Sequence, residues 1–328
     1  MTIRDWLILG VALGACHASS PDAGSDAAPI DTATVDTDAI VGHIAYANLV
    51  GGVEHLFLMD VDASGLGSNP RRFTGDAEAE NYPSWSADGT KMLYERALDG
   101  AAIYVIDADG TGQRRLSPTP GFDVRPSFSP DGSQLVYVRV NPNSGSPPQT
   151  DIRVMNLDGT GDHAILADAH FAVEPRWSVA GKIVFMSLAN GPGLDVYVMN
   201  PDGSELTRLT TNGTSGQNNG DPVWSADGMS ITFGSDREGG DRLNVFKMNA
   251  DGTNVVRLTD LDPPDEAGDT NWSSDNRKIT FEYDINGMKQ SDPAAYAEVW
   301  TMNADGTDAT STKIQCADVG CAPRWQPH

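Results

Sequence analysis

Long hydrophobic runs, basic residues and catalytic signatures are all scarce in this chain of 328 residues, and each shortage removes a class of function. Only Trp6 to Ala15 forms an uninterrupted apolar stretch, too short to cross a bilayer as a stable helix. Lys and Arg number 22 against 46 Asp and Glu, a formal net charge of −24, which argues against nucleic acid and against electrostatic binding to an anionic membrane. Partners should be neutral, basic or cationic. Of the acids 36 are Asp and only 10 are Glu, a bias produced by Asx-type turns and tight hairpins rather than by helical surfaces. No Gly-x-Ser-x-Gly elbow and no His-Glu-x-x-His occurs, and the six His show no metal-ligand spacing, so the sequence supplies no catalytic centre, metal site or cofactor motif. Asp60-Val-Asp62-Ala-Ser64-Gly65 and Asp107-Ala-Asp109-Gly110 resemble the start of a calcium loop but lack the distal Glu, and a turn accounts for both.

What is present is a repeat. Pro83-Ser-Trp85-Ser-Ala-Asp88-Gly89 returns at Pro126, Pro175, Pro222, Thr270 and Pro323, with aromatic residues Trp85, Phe128, Trp177, Trp224, Trp272 and Trp325. Their spacings of 43, 49, 47, 48 and 53 residues fall in the range of propeller blades and above that of helical or leucine-rich repeats. After the motif a turn, Asp-Gly at 88–89, 131–132 and 227–228, leads into an alternating strand such as Lys91 to Glu95. A variable loop follows, then a strand such as Ile103 to Asp107, a second turn such as Asp109-Gly110-Thr111, and a short strand such as Arg114 to Ser117. Two Asp-Gly hairpins per unit predict type I′ turns, with positive φ at both central residues. No helical period competes, so the expected class is all-β, with four-stranded antiparallel blades.

Counting units sharpens this expectation. The first, from Gly42 to Thr74, lacks its opening strand, while the last motif, Pro323 to His328, is an opening strand with nothing after it. Joined, they make one blade. The prediction is a six-bladed β-propeller over 41–328, closed by pairing the C-terminal strand with the N-terminal blade.

Residues 1–15 read as a secretory signal. The ending Leu13-Gly14-Ala15-Cys16 resembles the lipobox of bacterial lipoproteins, which implies that Cys16 is a lipid anchor, and the absence of Asp after it implies the outer membrane. From 16 to 40 the chain is Ala, Asp, Ser, Thr and Pro with almost no large apolar residue, and reads as a disordered tether. In an exported protein Cys316 and Cys321 are expected to pair as a disulfide, the alternative being two free thiols.

Pro-x-Trp-Ser-x-Asp-Gly, then Tyr-Val-Met-Asn-x-Asp-Gly, as at Tyr197 to Gly203, and Arg-Leu-Thr resemble the repeats of TolB-type propellers, also called PD40 or WD40-like repeats, over about 42–326. These motifs specify a fold rather than a function, since peptidase propellers carry similar blades. The resemblance implies a noncatalytic propeller that binds envelope protein or peptide, as a monomer.

The topology places both Asp-Gly turns of each blade on one face and the variable loops on the other, where function concentrates. Residues leading into the opening strands should ring the channel mouth: Glu80, Asp123, Arg125, Glu174, Asp221 and Asp269, with Arg96, Asp236, Arg237, Glu238, Asp241 and Arg242 nearby. Convergence of acids there favours a cationic or basic ligand. Two other functions stay open: a carboxylate- or metal-dependent hydrolase or lyase using groups such as Glu174 and Asp221, and an extracellular glycan or small-ligand binder.

Overall fold

The computed structural model describes residues 40–327 apart from 76, 98–99, 119–120, 170, 240–241, 262–264, 286–295 and 317–320. The expected signal over 1–15, the anchor Cys16 and all but the end of the tether lie outside the described residues, as does Asp241.

The chain is built from twenty-four described strands in antiparallel sheets. β1 (Ile40–Val50), β2 (Val53–Asp62) and β3 (Gly67–Arg72) form a sheet that β24 (Arg324–Trp325) completes, Ile44 lying opposite Trp325. Three further sheets of four strands follow the chain order. They are β12 to β15 (Val173–Trp177, Ile183–Ser187, Asp195–Met199, Thr207–Arg208), β16 to β19 (Asn219–Trp224, Ser230–Ser235, Asn244–Asn249, Val256–Arg257) and β20 to β23 (Glu266–Trp272, Lys278–Ile285, Tyr296–Asn303, Thr310–Cys316). An eight-stranded sheet has two antiparallel halves, β4 to β7 (Glu80–Trp85, Lys91–Arg96, Gly100–Asp107, Arg114–Arg115) and β8 to β11 (Gly121–Phe128, Gln134–Asn141, Gln149–Asn156, His163–Ala169). A short parallel pairing of Gly100 with Gly121 and Ala101 with Phe122 joins the halves. The fold is therefore an all-β propeller of four-stranded antiparallel blades. Around it, β4, β8, β12, β16, β20 and β24 each contact the next, and β24 contacts β4.

The core lies between neighbouring sheets. Leu56 and Leu58 pack with Trp85, Met92, Tyr94 and Tyr104 of the following sheet, and the first sheet meets the last through Ile44, Tyr46, Val299, Ile314 and Trp325. Five of the six repeat aromatics are buried anchors: Trp85, Trp224 and Trp272 are each 8% exposed, Phe128 and Trp325 5%, while Trp177 is partly buried. Each ring removes roughly 150 to 250 Å² from water. Trp224 Nε1 also donates to Arg176 O (3.1 Å), and Trp272 Nε1 to Thr232 Oγ1 (3.0 Å), so these two rings bond as well as fill space.

One local expectation is corrected. The Asp-Gly turns are not type I′, because the Gly has positive φ but the preceding Asp does not. In the turn after β4, Gly89 N–H donates to Ser86 O, and Asp88 Oδ1 accepts from Ser86 Oγ and from Thr90 N–H and Oγ1. Asp131 does the same with Ser129 and Ser133, and these bonds, led by that from Ser129, pull its pKa down to about 2. The aspartate side chain thus organises a wider turn in which only the last position needs left-handed backbone. At Asn276 the same position is filled without Gly, at φ 60°.

Candidate functional site

In each repeat the residue just before the motif's Pro or Thr is held in left-handed backbone. These are Tyr82 (φ 50°), Arg125 (57°), Glu174 (55°), Asp221 (49°), Asp269 (45°) and Ala322 (41°). Five of them precede Pro, a position that normally favours extended backbone, and a non-Gly residue there costs roughly 1–2 kcal/mol. The cause is a bulge in the opening strand, seen as register shifts between Asn81 and Ser84, Val124 and Ser127, Val173 and Arg176, Gly220 and Val223, and Gly268 and Asn271. Such bulges re-aim a side chain. The neighbouring strand receives the displaced amide where it can: Arg125 N–H donates to Glu95 Oε1, Asp221 N–H to Met186 Sδ (3.4 Å), and Ala322 N–H to Glu282 Oε2 (3.4 Å).

Charged side chains of these residues and those two further on meet as one network. Arg125 Nε lies 2.8 Å from Glu174 Oε1 and 3.9 Å from Glu95 Oε1, and its guanidinium sits 3.1 Å from the centre of the Tyr82 ring. Arg176 donates to Glu174 Oε2 (2.7 Å), and Arg324 pairs with Asp269 Oδ1 (2.9 Å). Arg125, Glu174, Arg176 and Arg324 are all buried. Asp221, partly exposed, has no ion-pair partner among the described residues. Burial first, and then the Glu174 and Asp269 carboxylates, push its pKa up to about 8, so at neutral pH it is a carboxylic acid able to donate a hydrogen bond. Burial likewise raises Glu95 and Glu54 to about 7, although Arg125 opposes it at both. For Arg125 the acids outweigh burial and raise the pKa further, whereas for Arg176 burial wins and lowers it.

Eight of the residues singled out in the sequence divide into two groups. Arg125, Glu174, Asp221 and Asp269 share this network. The other four are engaged elsewhere: Asp123 takes a bidentate pair from Arg139 (2.7 and 2.9 Å), and Glu80 lies 3.4 Å from His55 in a buried pair. Asp236 accepts from Asn218 N–H (2.6 Å), while Arg237 donates to Asn219 Oδ1 (2.8 Å) and lies 4.9 Å from the Phe233 and Phe246 ring centres. Glu80 and Asp123 were grouped with the ring as residues leading into their opening strands; in those two strands the bulged position is held by Tyr82 and by Arg125. Sequence reasoning missed Tyr82, Glu54, Glu95, Arg176 and Arg324. The signal was available, since Arg176 and Arg324 stand at the same step of their motifs. Cys316 and Cys321 form a disulfide. Among the described residues no group of three or more His, Cys, Asp or Glu is arranged to hold a metal ion.

Comparison with known proteins agrees with this architecture. Residues 146–292 match the family described as PD40, TolB beta propeller domain. The Tol-Pal system protein TolB of Francisella tularensis subsp. mediasiatica is 27% identical over 153 residues, covering 46% of this chain and 34% of that protein. An uncharacterized protein of Agrobacterium fabrum is 32% identical over 181 residues, 51% of this chain and 58% of that protein. The chain thus spans about a third to somewhat over half the length of these relatives. The crystal structure of TolB from Acinetobacter baumannii superposes with a TM-score of 0.68 at 20% identity, over 89% of this chain and 69% of that one. Repeat, sheet order and similarity together make this chain a TolB-like β-propeller.

Proposed function

We propose that this chain is a noncatalytic binding propeller of the bacterial envelope, taking a protein or peptide partner at the mouth ringed by Arg125, Glu174, Asp221 and Asp269. One observation carries the reading: left-handed backbone recurs at the same step of every motif, and at four of the six it directs a charged side chain into one cluster. Such strain persists only where the surrounding structure enforces it, and it concentrates at functional sites. Asp221 is the group offered to a partner, because Glu174 and Asp269 are already paired with arginines. Its surroundings favour a basic or hydrogen-bonding ligand group.

In the same reading the two halves of the eight-stranded sheet count as separate blades, which gives six, and β24 closes the ring on β1. A lipid on Cys16 would hold a monomeric propeller at the outer membrane, with the segment up to residue 40 as a spacer. TolB relatives, described as Tol-Pal system proteins, support the envelope assignment.

The test is capture from an envelope extract on immobilised protein, comparing wild type with Asp221→Lys at matched folding by circular dichroism. A partner held by wild type and lost at least tenfold with Asp221→Lys is the expected result. An identical captured set would remove Asp221 from the binding surface.

A further inference from the structure

Below the closing strand lies a group that the binding site does not use. Glu282 on β21 is buried, and its Oε2 accepts the N–H of both Cys321 and Ala322, the two residues that lead into β24. Beside it on the same strand, the Asp284 carboxyl is hydrogen-bonded to that of Glu282, and Asp284 Oδ1 is buried without a hydrogen-bond partner. Two carboxyls joined in this way must share a proton. The backbone amides favour the ionised form on Glu282, so Asp284 carries the proton and donates it to Glu282.

Among the described residues, the groups facing this pair add little cationic compensation. From β20, Glu266 lies opposite Asp284 in the strand register, and Asp269 contributes a second negative charge. From β24 comes Arg324, whose guanidinium is held by Asp269. On β22 the Glu298 carboxylate is turned away, accepting from Trp300 Nε1 and Ser311 Oγ. On β1 the neighbouring contact is uncharged, Ala47 N–H donating to Cys321 O (2.8 Å).

We propose that Glu282 and Asp284 form a proton-operated clasp, which holds the C-terminal strand docked while the pair keeps its shared proton and loosens it when that proton is lost. Loss of the proton leaves a buried carboxylate under the tail with a second, partly buried one beside it, repelling each other and Asp269. Burial raises both groups above their ordinary range, Glu282 to about 7. The docked state therefore takes up protons that the released state does not. Its advantage is full below the ordinary carboxylate pKa and fades as pH rises through the raised values. Tail and candidate site are joined through Arg324 and Asp269, so loosening also frees a carboxylate beside Asp221.

The measurement is amide hydrogen exchange of residues 321–327 in the whole, disulfide-intact protein between pH 5.5 and 9, corrected for the intrinsic pH dependence of exchange. The expected opening constant rises by up to about tenfold per pH unit from the acid end of this range until the raised carboxyl pKa values are passed, and levels off above them. Asp284→Asn keeps a donor toward Glu282 and cannot ionise, so its tail should stay protected throughout. Glu282→Gln accepts the same amides without charge and should flatten the profile independently. A flat wild-type profile, or a profile unchanged in whichever variant folds, overturns the clasp.

Discussion

At the scale of single residues, Asp221 and Glu174 show how neighbours rather than residue type assign a role. Both are acids at the same step of the repeat, but Glu174 sits between two guanidinium groups and Asp221 between two carboxylates. The result is an arginine-paired carboxyl group beside one whose pKa is raised to about 8. Since the folded pKa of Asp221 is raised to about 8, its contribution to stability is full below the ordinary carboxylate pKa and is lost as pH rises through about 8. Asp221→Asn should therefore make stability fall less steeply between about pH 4 and 8, read from urea unfolding at a series of pH values. Equal slopes in variant and wild type would mean that Asp221 titrates normally. Arg125 matters in another way: it neutralises Glu174 and Glu95 where water does not reach them.

At the scale of the element, each opening strand does two jobs that meet at its bulge. Past the bulge its aromatic residue anchors the blade; before it, strained backbone presents a side chain to the cluster. Trp224 links the two, because its ring fills the space between sheets while its Nε1 holds the carbonyl of Arg176 in the neighbouring opening strand. Trp224→Ala should cost about 3–5 kcal/mol in denaturant unfolding. Trp224→Phe keeps most of the packing and should cost less, the lost hydrogen bond accounting for about 1 kcal/mol. Similar costs for both would show that the bond, not the ring, dominates. The strands themselves were legible from alternation and from the Asp-Gly turns. The bulges were not: a Pro predicts extended backbone at the residue before it, and only packing against the next strand holds that residue left-handed. Charge and position ahead of the motif alone did not separate Glu80 and Asp123 from Arg125, and they left out the uncharged Tyr82.

At the scale of the whole molecule, the last seven described residues bring together contacts from four places in the chain. Trp325 packs into the core shared by the first and last sheets, Arg324 reaches Asp269, Gln326 N–H donates to His43 O, and Gln326 Nε2 donates to Gly89 O. Deleting residues 321–328 removes these together with the disulfide, and should lower the melting temperature on the order of 10 °C. An unchanged, cooperative transition would show that the tail closes nothing. The sequence by itself determined the all-β class, the repeat and the pairing of the two chain ends, because hydrophobic alternation and turn chemistry are local and recur with each unit. Tertiary structure decided which charges meet, which acids stay protonated, and that Glu282 and Asp284 lie under the tail. Those properties depend on groups brought from different strands into a space that water leaves, and charge in such a space answers to its neighbours rather than to its place in the chain.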